Sequence, residues 1–529
     1  MQDELNYLAQ LAARQRLSRR AFLGRAAALG VAASSASMLL SNAARAAGPI
    51  KGGTLRIGMV GGESSDGLDP AAINNQVKGV FARCWGEKLL DVAEDGTLVP
   101  YLATEYGASP DAKVWTFKIR KGVTFHNGKE LEAEDVRATI ERHAGESSRS
   151  GALGILGGID RLEASGDEFI VTLKEPNADL PYLLTDYHLI IQPNGGMDNP
   201  EAGIGTGPYN IGSHEPGVRE IAARYENYWA SDERGHAEQV EIIVINDTAA
   251  RFAAIQSGQV HLMNRVEPKV VDFIKRLPNV SIQNITGSAH YTFAMQCITP
   301  PFDDNDLRLA LKYAIDREAI LEKILGGYGT VGNDIPVNSA YAYFSEDIEQ
   351  RVYDPDKAAF HFKKSGHDGP IALQTSDVAF PGAVDAALLF QQSAEQAGIK
   401  LDVQRMPGDG YWAEVWNTSP FSASYWIGRP TQDQQYSTAY VSSADWNETR
   451  FRRPEFDAKV IAARAELDDV KRKAIYRDMA MMVRDEGGAI IPVFNDWVDA
   501  VSNKVGGFTP HPAGELMYGR APFKCWLQE

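Results

Sequence analysis

The sequence predicts an α/β fold with one section richer in strands, and three observations carry that prediction. From residue 306 onward helical and strand-like segments alternate, with helices over 306–325, 382–397, 410–417, 454–465 and 469–485 and strands over 371–374, 400–405 and 423–427. Such alternation implies a mostly parallel sheet covered by helices. Between 90 and 204 short strand-like runs outnumber helices, with a turn at Asn127-Gly128. The chain has 529 residues, 44% of them hydrophobic, which is core material for roughly two or three domains.

The earlier elements follow from the same patterns. Lys51 to Val60 alternates as a first strand and leaves into Gly61-Gly62-Glu63-Ser64-Ser65-Asp66-Gly67, a loop closed by Asp69-Pro70. Val77, Val80, Phe81 and Leu89 are spaced for a helix over 71–90, and an acid-started helix covers 132–143. Short strands are expected at 100–106, 115–120, 123–129, 159–165 and 168–173, and a new strand opens at 240–245.

The front of the chain reads as an export signal. Ser18-Arg19-Arg20-Ala21-Phe22-Leu23-Gly24 precedes a modest apolar run from Ala26 to Leu40, and Ala44-Arg45-Ala46 supplies a small-x-small cleavage site, together resembling the twin-arginine type. The run is Ala- and Ser-rich and short of the roughly 18–20 strongly apolar residues a membrane anchor needs. Expected, then, are a signal peptide over 1–46, the twin-arginine export machinery as partner, and a soluble periplasmic protein starting near Ala47. The whole chain carries a net charge of −17; removing a segment with six Arg and two acids leaves −21. That acidity argues against nucleic acid or an anionic membrane as partner and for a self-repelling monomer. Cys84, Cys297 and Cys525 have no ligand spacing and, being odd in number, are read as buried thiols.

Catalytic and cofactor signatures are weak. Gly327-Tyr-Gly-Thr-Val-Gly332 fits a dinucleotide spacing, but a helix precedes it and Pro336 follows, so it lacks the strand-to-helix setting that aims a helix N-terminus at phosphate. There is no HExxH, no GxSxG and no Walker lysine, so neither a cofactor nor a metal is nominated. Most attention falls on Ser424-Tyr425-Trp426-Ile427-Gly428-Arg429-Pro430-Thr431-Gln432-Asp433-Gln434-Gln435-Tyr436, where a β-favouring aromatic run breaks into a polar loop. Such a loop holds a small polar ligand well, because rings exclude water and charged groups fix orientation.

Several motifs, in order, resemble one family. Gly52-Gly53-Thr54-Leu55-Arg56 with Leu68-Asp69-Pro70, Trp115-Thr116-Phe117 with Phe125-His126-Asn127-Gly128, Gly205-Thr206-Gly207-Pro208-Tyr209, Pro301-Phe302-Asp303-Asp304 with the helix from Leu307 to Arg317, and Ile490-Ile491-Pro492-Val493-Phe494 are similar to the extracellular solute-binding proteins of family 5, the dipeptide and oligopeptide receptors of ABC importers. The resemblance implies a two-lobed type II periplasmic binding protein fold with an additional β-rich domain in the first lobe. It assigns 47–89, 205–290 and 490–529 to lobe I, 90–204 to the additional domain, and 291–489 to lobe II with the binding loop 424–436. It also implies hinge closure on a small peptide or other small polar solute, an ABC permease with its ATPase as partner, and no enzymatic activity.

In the family's peptide receptors an Asp on this loop pairs with the ligand's α-amino group, because a buried ammonium needs a buried carboxylate. Counting from Trp426, that position holds Arg429, and the nearest acid is Asp433. Arg offers a planar fork to carboxylates and cannot accept from an amine. Either Asp433 takes the amine, or the solute is a non-peptide anion such as a carboxylate, an opine or a sugar derivative, or Arg429 pairs with Asp433 and only shapes the loop. The loop also offers Trp426 and Gln434, and the family layout adds Glu63, Ser64, Ser65, Gln296, Cys297, Tyr411 and Trp412 as candidate contacts. Trp412 and Trp416, four apart on a helix, also fit one face of a core. A hydrolase or a binder of unfolded chains on the same scaffold remain the readings from other classes.

Overall fold

The computed structural model describes residues 5, 8, 19–29 and 49–528 apart from 95, 146 and 467. Two seven-stranded sheets organise it. In the first, Thr54–Met59 lies between the parallel strands Gln239–Val244 and Leu262–Met263. The hairpin Tyr209–Glu215 and Arg219–Arg224 extends one side, and Trp497–Ser502 with Val280–Ile285 extends the other, all antiparallel. In the second, Phe421–Trp426 pairs with His290–Met295 antiparallel and with Ile371–Thr375 parallel, and Leu401–Arg405 continues the parallel side. Both sheets are mixed, and for the second, built from the later half of the chain, a mostly parallel one was expected. The reason is local: hairpin strands and the strands that cross between sheets enter against the direction of their neighbours.

Each sheet has its own buried core, around Leu55, Ile57 and Trp85 in the first and around Phe293, Leu311 and Phe390 in the second. A four-stranded antiparallel sheet of Ala103–Ala108, Val114–Ile119, Glu168–Leu173 and Ile159–Ser165 forms a third core with the helix Ala133–Ala144, centred on Phe117, Phe169 and Val136.

The chain crosses between the two large sheets twice, from Val280–Ile285 to His290–Met295 and from Val493–Asn495 to Trp497–Ser502. The return to the first lobe thus falls at Asp496 and not at 490, because Ala489–Ile490 and Val493–Asn495 pair with strands of the second sheet. At the first crossing a Cβ on Gly287 would lie 2.8 Å from Trp497 of the other crossing. The absent side chain at Gly287 leaves room for the Trp497 indole.

Other expectations shift for local reasons. The helix expected at 306–325 is two, Asn305–Ala314 and Arg317–Lys323, because Asp316 turns its side chain to the Ala319 N–H and caps a new start. The helix expected from 71 begins at Gln76, capped by Asn75. Residues 410–417 form a short π-helical turn, Tyr411–Val415, and 123–129 contributes one bridge, Thr124 to Glu130, in place of a strand. Arg19–Ala28 is an α-helix, while the expected cleavage site Ala44-Arg45-Ala46 lies outside the described residues. Among the described residues no helix is long and apolar enough to cross a membrane, and Cys84, Cys297 and Cys525 are free and buried.

The lobes meet face to face. The Ser64 N–H and hydroxyl donate across the cleft to Asp409 at 3.1 and 2.9 Å, and the Trp412 N–H donates to Glu63 Oε1 at 3.0 Å. Burial pushes the Glu63 carboxyl up from 4.5 to about 7, with the charges of Asp66 and Asp409 adding and the Trp412 N–H opposing. Opening the cleft re-solvates Glu63 and returns it toward its ordinary value. The closed form therefore holds a proton that the open form releases between pH 4.5 and about 7. Closure is favoured at the acid end and weakens as pH rises through about 7. Small-angle scattering is expected to give a larger radius of gyration at pH 8 than at pH 5 for the wild type, and a flat response for Glu63→Gln, which keeps the acceptor and loses the proton. A variant that opens as much as the wild type would remove Glu63 from the closure equilibrium.

Candidate functional site

Between the lobes lies a cavity lined by residues of both. Three pieces of backbone bring the first lobe's wall to it. The Asn75 side chain caps the helix Gln76–Trp85, which presents Gly79, Val80 and Arg83. Tyr187 comes from the segment leading out of the β-rich section. Glu515 and Tyr518 come from a turn in which Leu516, Met517 and Tyr518 all have φ between 51° and 62°. Each such left-handed non-glycine residue costs roughly 1–2 kcal/mol. Asp499 offsets part of that cost by accepting the Leu516 N–H at 2.7 Å, while Glu515 accepts from Asn264 and Arg265, each at 3.0 Å.

The second lobe's wall is the strand Phe421–Trp426 with the loop after it, together with Trp412, Trp416 and Trp446. Trp412 and Trp416 belong to the second lobe's core, as their spacing suggested, and also line this cavity. Their rings meet others nearly at right angles: Trp416 with Trp446 at 84°, Trp412 with Tyr425 at 82°, Trp412 with Trp416 at 69° and Trp426 with Trp446 at 65°. Behind them sits Glu448, which accepts from Trp416 Nε1, Trp426 Nε1 and the Ser424 hydroxyl. Burial raises the Glu448 carboxyl, and these three donors work against that rise.

Arg429 lines the cavity and is 3% exposed. A Cβ on Gly428 would lie 1.6 Å from Ser288 Oγ, so this glycine sets how tightly the loop lies on the crossing strand. The Tyr341 hydroxyl accepts the Arg429 N–H at 2.9 Å and fixes the next residue. The guanidinium lies 5.1 Å from the Tyr187 ring centroid and 3.7 Å from Asp186 Oδ2; the Tyr187 side chain interacts with it, but none of its three nitrogens meets a partner in good hydrogen-bond geometry. Burial alone would raise the Asp186 carboxyl, but His188 at 2.5 Å, then Arg429, hold it well below the usual carboxylate range. Asp186 is thus committed largely to His188. Arg83, the cavity's other guanidinium, is paired with Asp91 at 3.3 Å, a carboxylate that also takes Lys88 and Arg520. Two further atoms on the lining have no partner, the donor Trp412 Nε1 and the acceptor Asn74 Oδ1.

The other expected contacts lie elsewhere. Asp433 and Gln434 sit on a fully buried helix, Gln432–Ala439, and not on a loop. Asp433 accepts from Arg464 at 2.7 Å and from Ser437 at 3.3 Å, so it neither pairs with Arg429 nor lines the cavity. Gln434 reaches Asp186 at 3.4 Å and so stands behind Arg429. Glu63 and Ser64 join the lobes, as described above. Gln296 bonds to Thr418 and Thr299, Cys297 is buried in the same core as Trp426, and the Tyr411 hydroxyl donates to Ala423 O. Of the nominated residues, Trp412, Trp426 and Arg429 meet in the cavity; the sequence reading passed over Tyr187, Trp446, Glu515 and Tyr518.

Comparison with known proteins bears on what this cavity is for. The model of bacterial extracellular solute-binding proteins, family 5 Middle, matches residues 97–448. The glutathione-binding protein GsiB of Pectobacterium atrosepticum is 24% identical over 474 residues, 85% of this chain and 91% of its own. Among solved structures, the periplasmic binding protein DppA of Helicobacter pylori, in complex with the peptide STSA, superposes with a TM-score of 0.82 at 21% identity, covering 91% of this chain and 99% of that one. The binding protein AgaA of A. tumefaciens R10, in complex with agropinic acid, superposes with a TM-score of 0.83 at 23% identity, covering 90% and 99%. The fold is the two-lobed type II periplasmic binding protein fold, and the chain belongs to the bacterial extracellular solute-binding proteins of family 5.

Proposed function

We propose that the protein is exported to the periplasm by the twin-arginine route and serves an ABC importer as its substrate-binding component. It closes on a small peptide or peptide-like solute bearing a carboxylate and hands it to the permease. The carrying observation is the Arg429 guanidinium, buried, facing the cavity and without a partner in good hydrogen-bond geometry. A buried cation is costly unless a charged acceptor meets it, and a ligand carboxylate fits its fork in two parallel bonds. Trp412 Nε1 and Asn74 Oδ1 add a donor and an acceptor suited to an amide. Relatives that bind glutathione or dipeptides favour the peptide-like class. We read the protein as a receptor and not an enzyme, in keeping with relatives that are binding proteins.

Closure follows from differential contact. A solute that touches Arg429 on one lobe and Asn74 on the other makes both contacts only when the lobes meet, and that difference shifts the hinge. A second reading, a non-peptide anion such as a carboxylate, an opine or a sugar derivative, is favoured by one observation: Asp433, the acid nearest Arg429 in sequence, is already bonded to Arg464.

The test uses protein refolded from denaturant to strip carried solute, and calorimetry with di- and tripeptides, their C-terminal amides and agropinic acid. Free-acid peptides are expected to bind and amides to bind more weakly, and Arg429→Met is expected to lose roughly tenfold or more in affinity, about 1.5–3 kcal/mol. Equal binding of acid and amide, or an unaffected Arg429→Met, would return Arg429 to a structural role. For export, replacing both Arg19 and Arg20 by Lys is expected to leave precursor in the cytoplasm on fractionation; normal export of that variant would remove the twin-arginine assignment.

A further inference from the structure

Resting on the reading that Arg429 takes the solute's carboxylate, we infer that the tryptophan-lined end of the same cavity holds an ammonium group on its aromatic faces, making the solute a zwitterion. The argument begins with what the lining lacks. Among the described residues that line the cavity, Glu515 is the only acid. It is 1% exposed, its two oxygens are bonded to Asn264 and Arg265, and its charge is paired with Arg265 at 3.0 Å. No lining carboxylate is left over for a ligand cation.

What the lining has instead is indole. Trp412, Trp416, Trp426 and Trp446 reach one cavity, and pairs of them stand at 65–84° to each other. Each of these pairs is in edge-to-face contact, and indole is the side chain whose face attracts a cation most strongly. Trp416 and Trp426 turn their N–H groups away to Glu448. That fixes both rings and leaves Glu448 behind them. Tyr187 joins the two ends, with Arg429 5.1 Å over its ring and Trp446 6.4 Å from it. Anion and cation sites therefore share one cavity, as a compact zwitterion requires.

The discriminating property is tolerance of N-methylation. An ammonium held by hydrogen bonds to a carboxylate or to Asn74 Oδ1 loses them when methylated, whereas aromatic faces accept the bulkier cation. The probes are Ala-Ala, its N,N,N-trimethyl form, and the neutral isostere with a quaternary carbon in place of that nitrogen, titrated calorimetrically into stripped wild-type protein. The trimethyl form is expected to bind at least as well as Ala-Ala, and the isostere roughly tenfold or more weakly. Trp416 is only partly buried, so Trp416→Phe and Trp416→Leu limit the risk to folding. The ratio of trimethyl to isostere affinity is expected to shrink stepwise from Trp to Phe to Leu, a change that lost stability alone does not produce.

Equal binding of trimethyl form and isostere overturns the proposal, and so does loss of binding on methylation. If neither Ala-Ala nor its trimethyl form binds while amine-free carboxylates do, the aromatic cation site is refuted and the Arg429 reading stands. If no carboxylate binds at all, the Arg429 reading itself has failed.

Discussion

A guanidinium shut between two lobes, with one carboxylate at 3.7 Å and no partner in good hydrogen-bond geometry, is the constraint around which this cleft is arranged. Leaving a buried cation so placed costs several kcal/mol unless its surroundings and its ligand offset it. Much of the nearby structure serves that end. Gly428 lets the loop settle on Ser288, Tyr341 holds the Arg429 backbone, and Tyr187 lies under the charge. Asp186 balances part of it, yet His188 and Gln434 hold that carboxylate from other sides. The arrangement keeps Arg429 charged and in place without using up its bonding capacity.

The contrast with Arg83 sharpens the point. Both guanidinium groups reach the cavity, but Arg83 shares Asp91 with Lys88 and Arg520, a node that fixes the first lobe to the C-terminal turn. One arginine holds structure and the other is available for recognition. The closing contacts are separate again. Glu63 and Ser64 join lobe to lobe outside the cavity lining, Glu63 through the backbone of Trp412, whose side chain is part of the wall.

How far the sequence disclosed this depends on how local each feature is. Strand Phe421–Trp426 and the break at Gly428 were legible from composition, and Arg429 stood out because it occupies a position where an acid was expected. Asp433 and Gln434 were misplaced because Thr431-Gln432-Asp433-Gln434 has the Thr-x-x-Gln spacing of a helix start, a signal that a loop reading passes over. Trp412 and Trp416 fit a core stripe, and only the opposite lobe makes them a cavity wall as well. Tyr187, Trp446 and Glu515 come from distant parts of the chain and meet only after folding. The left-handed turn at Leu516–Tyr518 has no glycine at its three strained positions, so nothing local announced it. The mixed character of the second sheet was missed because alternation of helices and strands says nothing about the direction in which a crossing strand returns.

The central claim is that a solute's carboxylate completes the Arg429 site in the closed cleft. A crystal structure of the protein with its bound solute tests it most directly. The account predicts closed lobes and carboxylate oxygens about 3 Å from two nitrogens of the Arg429 guanidinium. A solute bound in this cavity with Arg429 still facing only Asp186 and Tyr187 would contradict it.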